Sequence, residues 1–485
     1  MKDGTYIKNG NGAALLQLQY PAESIGLNRS YLDDDKGVLD QSVKEMLGQD
    51  PALLGHLVKP VPTNRLAPVV QPDIEWHPSY QTFRARVAAL AAKAENRPTA
   101  LPDGFQDQVT SARAWTGSDF ADKEKYLVRL SPEDVDEIKA ALDFFKALDG
   151  DNGPDAVTTA TFPLPTLGSR LREVAVNVHL GTGFNVIRGL NPVDFSPLDN
   201  ILIYLGITSY IAEVRGCQDY DGRMIVHIKD IERELPESTG RPSPYTNRAQ
   251  PFHTDMCDIL SMYVLDTAVE GGESLLASSG MIYNDIAANR PDLIHLLADN
   301  KWIHDETKAS WINRPLLFNF KKHGPGFCYS RRPLTGAPFS PHHPQVPAIT
   351  EEQAEALDAV HFTAVKHQLA ITLEPGEIEV FNNVALIHGR SGFADNLEPE
   401  ARDMVTDDDG PHHETRRTRT LNGRRHMLRL WLRTADDELA WETPEPLECN
   451  SFDIYGDSSA RRIGKWDVHR APPINRVLTK HFKCS

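Results

Sequence analysis

Three side chains in this sequence have the types and spacing to grip one cation. His253-Thr254-Asp255 sets an imidazole and a carboxylate two positions apart, and on an extended strand such residues share a face. Two histidines and one carboxylate with open positions beside them suit a non-haem Fe(II) oxygenase. The pair by itself carries no weight. With 18 histidines and 68 acids in 485 residues, chance supplies 18 × 68/485, or about 2.5, pairs of this kind, and three occur: His253/Asp255, His304/Glu306 and His412/Glu414. Context separates them. His412/Glu414 lies in the polar run DDDGPHHETRRTR, and His304/Glu306 lies in KWIHDETKAS with no clear strand continuing. Only His253/Asp255 leads into a strand-like run, DILSMYVL, and then a Gly-Gly turn.

The third ligand has to come from far downstream. ITLEPGEIEVFNNVALIHGR reads as a hairpin: strand, a Glu374-Pro375-Gly376-Glu377 turn, strand, an Asn382-Asn383 turn, and a strand that His388 closes. A lone histidine at a strand end is ordinarily structural. The upstream pair and the arginines downstream make His388 the expected third ligand. In RRHMLRLWLR, Leu428, Leu430 and Leu432 share one face, while Arg425, Met427, Arg429 and Trp431 share the other. An exposed edge strand with a charged face would show the same pattern. The alternative is a strand whose leucines pack on helices and whose arginines line a pocket, where guanidinium forks recognise carboxylates.

These residues need a scaffold. From about residue 160 the chain is a series of short apolar, β-like runs: VAVNVHL, FNVIRGL, RMIVHI, DILSMYVL, AITL, EIEVF, ALIH and MLRLWL. Many short strands between turns suggest a sandwich or barrel. Helices interrupt them. MIYNDIAANRPDLIHLLA should break near Pro291, and another helix should start at Thr350, where Thr350 and Gln353 form a capping-box pattern with Leu357 and Ala364 on the buried side. Upstream, YQTFRARVAALAAKA reads as a helix. A firmer one follows Ser131-Pro132, with Val135, Ile138, Leu142 and Phe145 as its buried stripe. The run DGDNGPD marks the expected junction between an N-terminal, partly helical extension (1–155) and the main domain (156–435), with a tail (436–485) packed on it.

Composition limits the partners. The net charge is 51 − 68 = −17, which argues against nucleic acid and anionic membrane surfaces as partners. Five scattered cysteines without a CxxC pair indicate neither a disulfide framework nor a zinc knuckle. With no apolar signal region at the start and no membrane-length apolar run, the expectation is a soluble, cytoplasmic protein acting on a small molecule.

The ordered set GTGFNVIRGL, FHTDMCDILSMYVL, GGESLLASS, RRPLTG, NNVALIHGR and RRHMLRLWLR resembles the taurine dioxygenase (TauD/TfdA-like) family of Fe(II)/2-oxoglutarate oxygenases, in the form common among fungi, over about residues 160–435. The resemblance implies a mainly β fold with flanking helices, a double-stranded β-helix or jelly roll. It implies His253, Asp255 and His388 as iron ligands, and Ser274 and Arg425 as contacts of the distal carboxylate of 2-oxoglutarate. It implies Arg429 as the position that meets a substrate anion, and the unusual distance of Arg425 from His388 leaves Arg390, two residues after His388, as a weak rival anion anchor. The implied reaction consumes dioxygen and 2-oxoglutarate, releases succinate and carbon dioxide, and oxidises a C–H bond of a small molecule that would bear a carboxylate if Arg429 faces it. Hydroxylation is the default, with desaturation or ring closure as alternatives. One departure stands out: Arg425 lies 37 residues after His388, far more than the family usually has. The extra stretch holds seven acids and one arginine between Asp395 and Asp409, then Arg416, Arg417 and Arg419. It reads as a surface insertion, or alternatively as a lid over the site. A zinc hydrolase on the same three ligands and a non-catalytic jelly-roll binding protein are the competing classes.

Overall fold

The structure is a computed structural model and describes residues 71–92, 97–150, 152–219, 222–231, 243–305, 311–396, 421–456 and 464–468. All belong to one compact unit spanning Gln71–Ser485. Two β-sheets form its centre. The larger takes the order β1 (Leu127–Arg129), β2 (Phe184–Arg188), β9 (Ile378–Asn382), β6 (Ile259–Asp266), β11 (His426–Arg433) and β3 (Val214–Gly216), with β4 (Val226–Ile228) also on β11. The smaller runs β8 (Leu369–Ile371), β7 (Ser274–Ser278), β10 (Leu386–Arg390) and β5 (Gln250–His253). The chain alternates between them in the manner of a double-stranded β-helix, and every pairing within them except β1 with β2 is antiparallel.

The alternation in β11 explains the layering. Leu428, Leu430 and Leu432 are almost fully buried in an outer cluster with α2 (Pro132–Lys146), α3 (Leu167–Leu180) and α4 (Pro197–Thr208). Each contributes roughly 1.5–3 kcal/mol by leaving water. Met427 and Trp431 point the other way, into a core between the sheets, with Phe184, Leu260, Leu276, Phe381 and Leu386. Behind the smaller sheet, Phe252, Ala277 and Ile387 meet α5 (Ser279–Asn289), α6 (Pro291–Ala298) and α7 (Glu351–His367). Both faces of both sheets are therefore covered, and the arginine-bearing face of β11 looks inward.

Local signals hold where they are strongest. Ser131 caps α2 in a full capping box with Asp134, Thr350 and Gln353 cap α7, and the helix pair breaks at Arg290-Pro291. Tyr80–Ala91 is α1, capped by Ser79. Two readings fail. VAVNVHL is the second half of α3, because Leu167, Leu171, Val174, Ala175 and Val178 bury at helical spacing; its alternating valines imitate a strand. ITLEPGEIEVFNNVALIHGR is no hairpin either. β8 pairs with β7, β9 with β2 and β6, and β10 with β5 and β7, so each turn carries the chain from one sheet to the other. Gly376 sits at that corner with φ +92°, where a Cβ would come within 1.9 Å of the Leu190 carbonyl oxygen.

Segments on the N-terminal side of the expected junction join the same core. β1 hydrogen-bonds to β2, and Ile138, Leu142 and Phe145 of α2 lie in the outer cluster with β11. Residues 1–70 lie outside the described residues. Beyond residue 436, the helix Glu448–Tyr455 docks on β3 and β11 through Cys217 N to Ile454 O at 2.8 Å and Tyr455 Oη to Leu432 O at 2.9 Å. No helix among the described residues is long and apolar enough to cross a membrane.

Candidate metal and cosubstrate site

β5 and β10 run side by side with His253 opposite His388. Their rings lie 4.1 Å apart between centroids. Asp255 comes two residues after His253, in a loop that Asn383 fastens: Asp255 N donates to Asn383 Oδ1 at 2.9 Å, and Asn383 Nδ2 donates to the carbonyls of Asp255 and Cys257 at 2.9 and 2.6 Å. One ligand atom from each of His253, Asp255 and His388 falls within 4.8 Å of the others, and all three residues are buried. Among the described residues this is the one such convergence of histidine, cysteine and carboxylate groups. Glu306 and the His412/Glu414 pair lie outside the described residues.

The donor chemistry fits a bound metal. His253 Nδ1 donates to the Pro251 carbonyl at 2.8 Å, which leaves Nε2 as the lone-pair nitrogen. Burial pushes both imidazoles below the ordinary histidine range, His388 furthest, so both are neutral and able to ligate. Asp255 is held asymmetrically. Its Oδ2 accepts from Arg429 Nη1 at 2.8 Å and Trp431 Nε1 at 3.1 Å. Its Oδ1 is buried without a hydrogen-bond partner and lies 3.8 Å from His253 Nε2. Burial would raise this carboxyl, but the Arg429 guanidinium, helped by the Trp431 hydrogen bond, holds Asp255 below the usual carboxylate range. An ionised carboxylate with one oxygen tied back and the other orphaned toward two neutral imidazoles is a donor set suited to a cation.

Arg429 is held beside Asp255. Its Nη1 is committed to Asp255 and its Nε to Gln218 Oε1 at 2.9 Å. The β11 register puts it beside Asp255, and the local need is to compensate a buried carboxylate. Gln218 itself is anchored on the Met224 and Arg429 carbonyls at 3.0 and 2.8 Å.

A cavity opens beside the two histidines, lined among others by Ser274, Arg390, Arg425 and Arg429. Arg425 is buried, and its Nη1 has no hydrogen-bond partner. Desolvation pushes its pKa down to about 10, the sign of a cation lacking a full counter-charge. The GGES turn brings Ser274 here. Gly272 adopts φ +81°, and a Cβ there would press within 3.2 Å of the Arg425 side chain. Arg390 instead donates through Nη2 to the carbonyls of Thr246 and Arg248 at 2.7 and 2.5 Å, so it buttresses the cavity wall.

The long separation between His388 and Arg425 is bridged by a neck. Asn396 N donates to Gly423 O at 2.8 Å, and Arg425 N donates to Asp395 Oδ1 at 2.8 Å. The two ends of the insertion are thus tied together, and Arg425 reaches the cavity despite it. Residues 397–420, which make up most of this surface insertion or lid, lie outside the described residues.

Sequence reading misses Glu379. It is fully buried in β9, with Ser274 Oγ 2.8 Å from Oε1 and 2.9 Å from Oε2. An acid inside an otherwise apolar run is the available signal, but alternation alone places it on a solvent face. Other histidines keep structural partners: His179 Nε2 meets the Ile211 carbonyl at 3.3 Å, and His227 sits between His426 and the Asp467 carbonyl at 2.8 and 2.6 Å.

Residues 118–406 match the family described as taurine catabolism dioxygenase TauD, TfdA. The chain belongs to the TauD/TfdA family. It is an Fe(II)- and 2-oxoglutarate-dependent dioxygenase. A taurine hydroxylase-like protein, SAT17, from Stachybotrys chartarum is 37% identical over 351 residues, covering 70% of this chain and 83% of that protein. FR-33289 synthase of Streptomyces rubellomurinus is 20% identical over 274 residues, 56% of this chain and 74% of that protein. Among solved structures, an asparagine oxygenase in complex with Fe(II), 2S,3S-3-hydroxyasparagine and succinate superposes with a TM-score of 0.46 at 14% identity, covering 64% of this chain and 94% of that one.

Proposed function

We propose that this TauD/TfdA-family oxygenase hydroxylates a C–H bond of a small molecule at a centre formed by His253, Asp255 and His388. The observation that carries the assignment is the orphaned Asp255 Oδ1 facing His253 Nε2, with Oδ2 tied to Arg429 and Trp431. Fe(II) with 2-oxoglutarate supplies the oxidising power for attack on an unactivated C–H bond. The protein's own work is positional. His253 is turned by its Pro251 hydrogen bond, and Asp255 is kept ionised and one-sided by Arg429. Arg425 and Ser274 hold the distal carboxylate of 2-oxoglutarate, since Arg425 Nη1 is a buried donor with no partner on the wall of the same cavity. A guanidinium left in that state gains most from a carboxylate.

Arg429 is engaged by Asp255 and also lines the cavity, so this reading assigns the substrate no carboxylate. Hydroxylation is favoured over desaturation or ring closure by the hydroxylase-like name of the fungal relative. Anaerobic loading with Fe(II), then 2-oxoglutarate and ¹⁸O₂ in the presence of a metabolite library, tests both levels. Succinate should form with Fe(II), vanish in His253→Ala, and accompany a product carrying one ¹⁸O atom. A product lighter by two hydrogens and free of label would replace hydroxylation by desaturation or ring closure.

A further inference from the structure

A hydroxyl has one proton to donate, and that count makes Glu379 more than a filler of the core. Ser274 Oγ contacts both carboxyl oxygens of Glu379 on one side, and the cavity beside His253, His388 and Arg425 on the other. When the distal carboxylate of 2-oxoglutarate meets Ser274, the hydroxyl stands between two carboxyl groups and can donate to only one. Arg425 is the arginine whose charge draws the Glu379 carboxyl down, and a second carboxylate competing for it would leave a buried anion poorly compensated, an unfavourable state in a low-dielectric interior.

Resting on the assignment of Arg425 and Ser274 to 2-oxoglutarate, we propose that Glu379 is a positioning residue that takes up a proton from solvent when the cosubstrate binds, donates it to Ser274 Oγ, and so releases the Ser274 proton for the cosubstrate carboxylate. No bond to carbon changes: one solvent proton moves onto a Glu379 carboxyl oxygen, and the reverse step returns it. Cosubstrate binding thereby becomes dependent on pH.

The surroundings agree. Burial pushes the Glu379 carboxyl up to about 7, the Ser274 hydroxyl and Arg425 draw it down, and Glu377 before its own strand raises it. Its strand neighbours are apolar: Met262 on β6 and Val186 on β2 stand opposite it. Tyr204 on α4 and Tyr126 ahead of β1 are the remaining titratable groups that feel its charge, and burial pushes both up, so they stay neutral. A second anion in the cavity raises the Glu379 carboxyl further, which drives the uptake.

Calorimetric titration of the full-length protein, loaded anaerobically with Fe(II), with 2-oxoglutarate in buffers of different ionisation heat tests this. At pH 8 the wild type should absorb close to one proton per 2-oxoglutarate. Its Kd should be flat below about pH 6 and weaken up to about tenfold per pH unit above 7, the limit for one coupled proton. Glu379→Gln keeps a donor toward Ser274 but has nothing to titrate, so its Kd should be flat from about pH 6 to 9 with no uptake. A wild type that binds without proton uptake at pH 8 overturns the proposal, even if the variant fails to fold. Arg425→Gln separates the two levels. If it binds 2-oxoglutarate as tightly as wild type, the cosubstrate assignment itself is wrong; if it binds weakly while the wild type takes up no proton, only the role of Glu379 falls.

Discussion

Arg429 Nη1 donates to Asp255 Oδ2 at 2.8 Å across a buried contact, and this pair sets which carboxylate oxygen remains for a metal. Both side chains are buried, so neither charge has bulk water to fall back on. Breaking such a pair is costly because the survivor keeps its charge without compensation.

Arg429→Gln should therefore cost about 3–5 kcal/mol of stability and weaken metal binding by about 10–100-fold, the usual penalty for losing a group that orients a ligand. Denaturant midpoints and Co(II) titration of the apoprotein would measure the two effects. Unchanged metal affinity would remove Arg429 from the metal site.

Arg425→Gln should leave metal affinity alone and weaken 2-oxoglutarate binding by about 2–5 kcal/mol, the range for truncating one partner of a buried charge pair. Binding titrations of metal and cosubstrate, done separately, would show the split. Equal losses of both would mean that the variant disturbs the fold rather than one contact.

Replacing residues 397–420 by a short Gly-Ser link should preserve the fold and the cosubstrate site. Asn396 and Gly423 already meet through a 2.8 Å backbone hydrogen bond, so a short link has little distance to span. The expected melting temperature is within a few degrees of wild type, with 2-oxoglutarate affinity retained. A large loss of affinity would show that the insertion completes the site.

The Glu379 carboxyl also carries a stability signature. Its pKa is about 7 in the folded chain against a reference of 4.5, so the folded state holds the proton more tightly. The stability from that proton is fully present below about pH 4.5 and is lost as pH rises through 7. Glu379→Gln should gain on wild type by about 3 kcal/mol between pH 4.5 and 8, from roughly 2.5 units at 1.36 kcal/mol each. Urea unfolding at both pH values would reveal it, and equal differences at the two would contradict a raised carboxyl.

Gly376→Ala should destabilise the fold by at least about 1–3 kcal/mol, since φ is +92° and the new methyl would meet the Leu190 carbonyl at 1.9 Å. A neutral effect on the denaturant midpoint would mean that the sheet-to-sheet corner relaxes freely.

Much of this protein is legible in its amino-acid order. Short-range chemistry is written locally: the caps at Ser131 and Thr350, the break at Pro291 and the two-faced pattern of β11 all depend on neighbours in the chain. The pair His253/Asp255 is separable from two chance matches by the strand-like run DILSMYVL directly downstream, and His388 stands out by the company of the arginines. Tertiary structure decided the rest. Whether a turn joins partners in one sheet or sends the chain to the other depends on hydrogen bonds between strands far apart in sequence, which is why ITLEPGEIEVFNNVALIHGR imitates a hairpin. Burial of both faces of β9 turns Glu379 from an apparent surface acid into a buried neighbour of Ser274. Arg425 and Arg429, four residues apart in RRHMLRLWLR, are legible as a pair, but their division of labour is not. Arg429 stands within reach of Asp255 and is claimed by it, while Arg425, four residues away, faces an open cavity with a donor to spare. Residue type names the possible interaction, and only position in the folded chain names the partner.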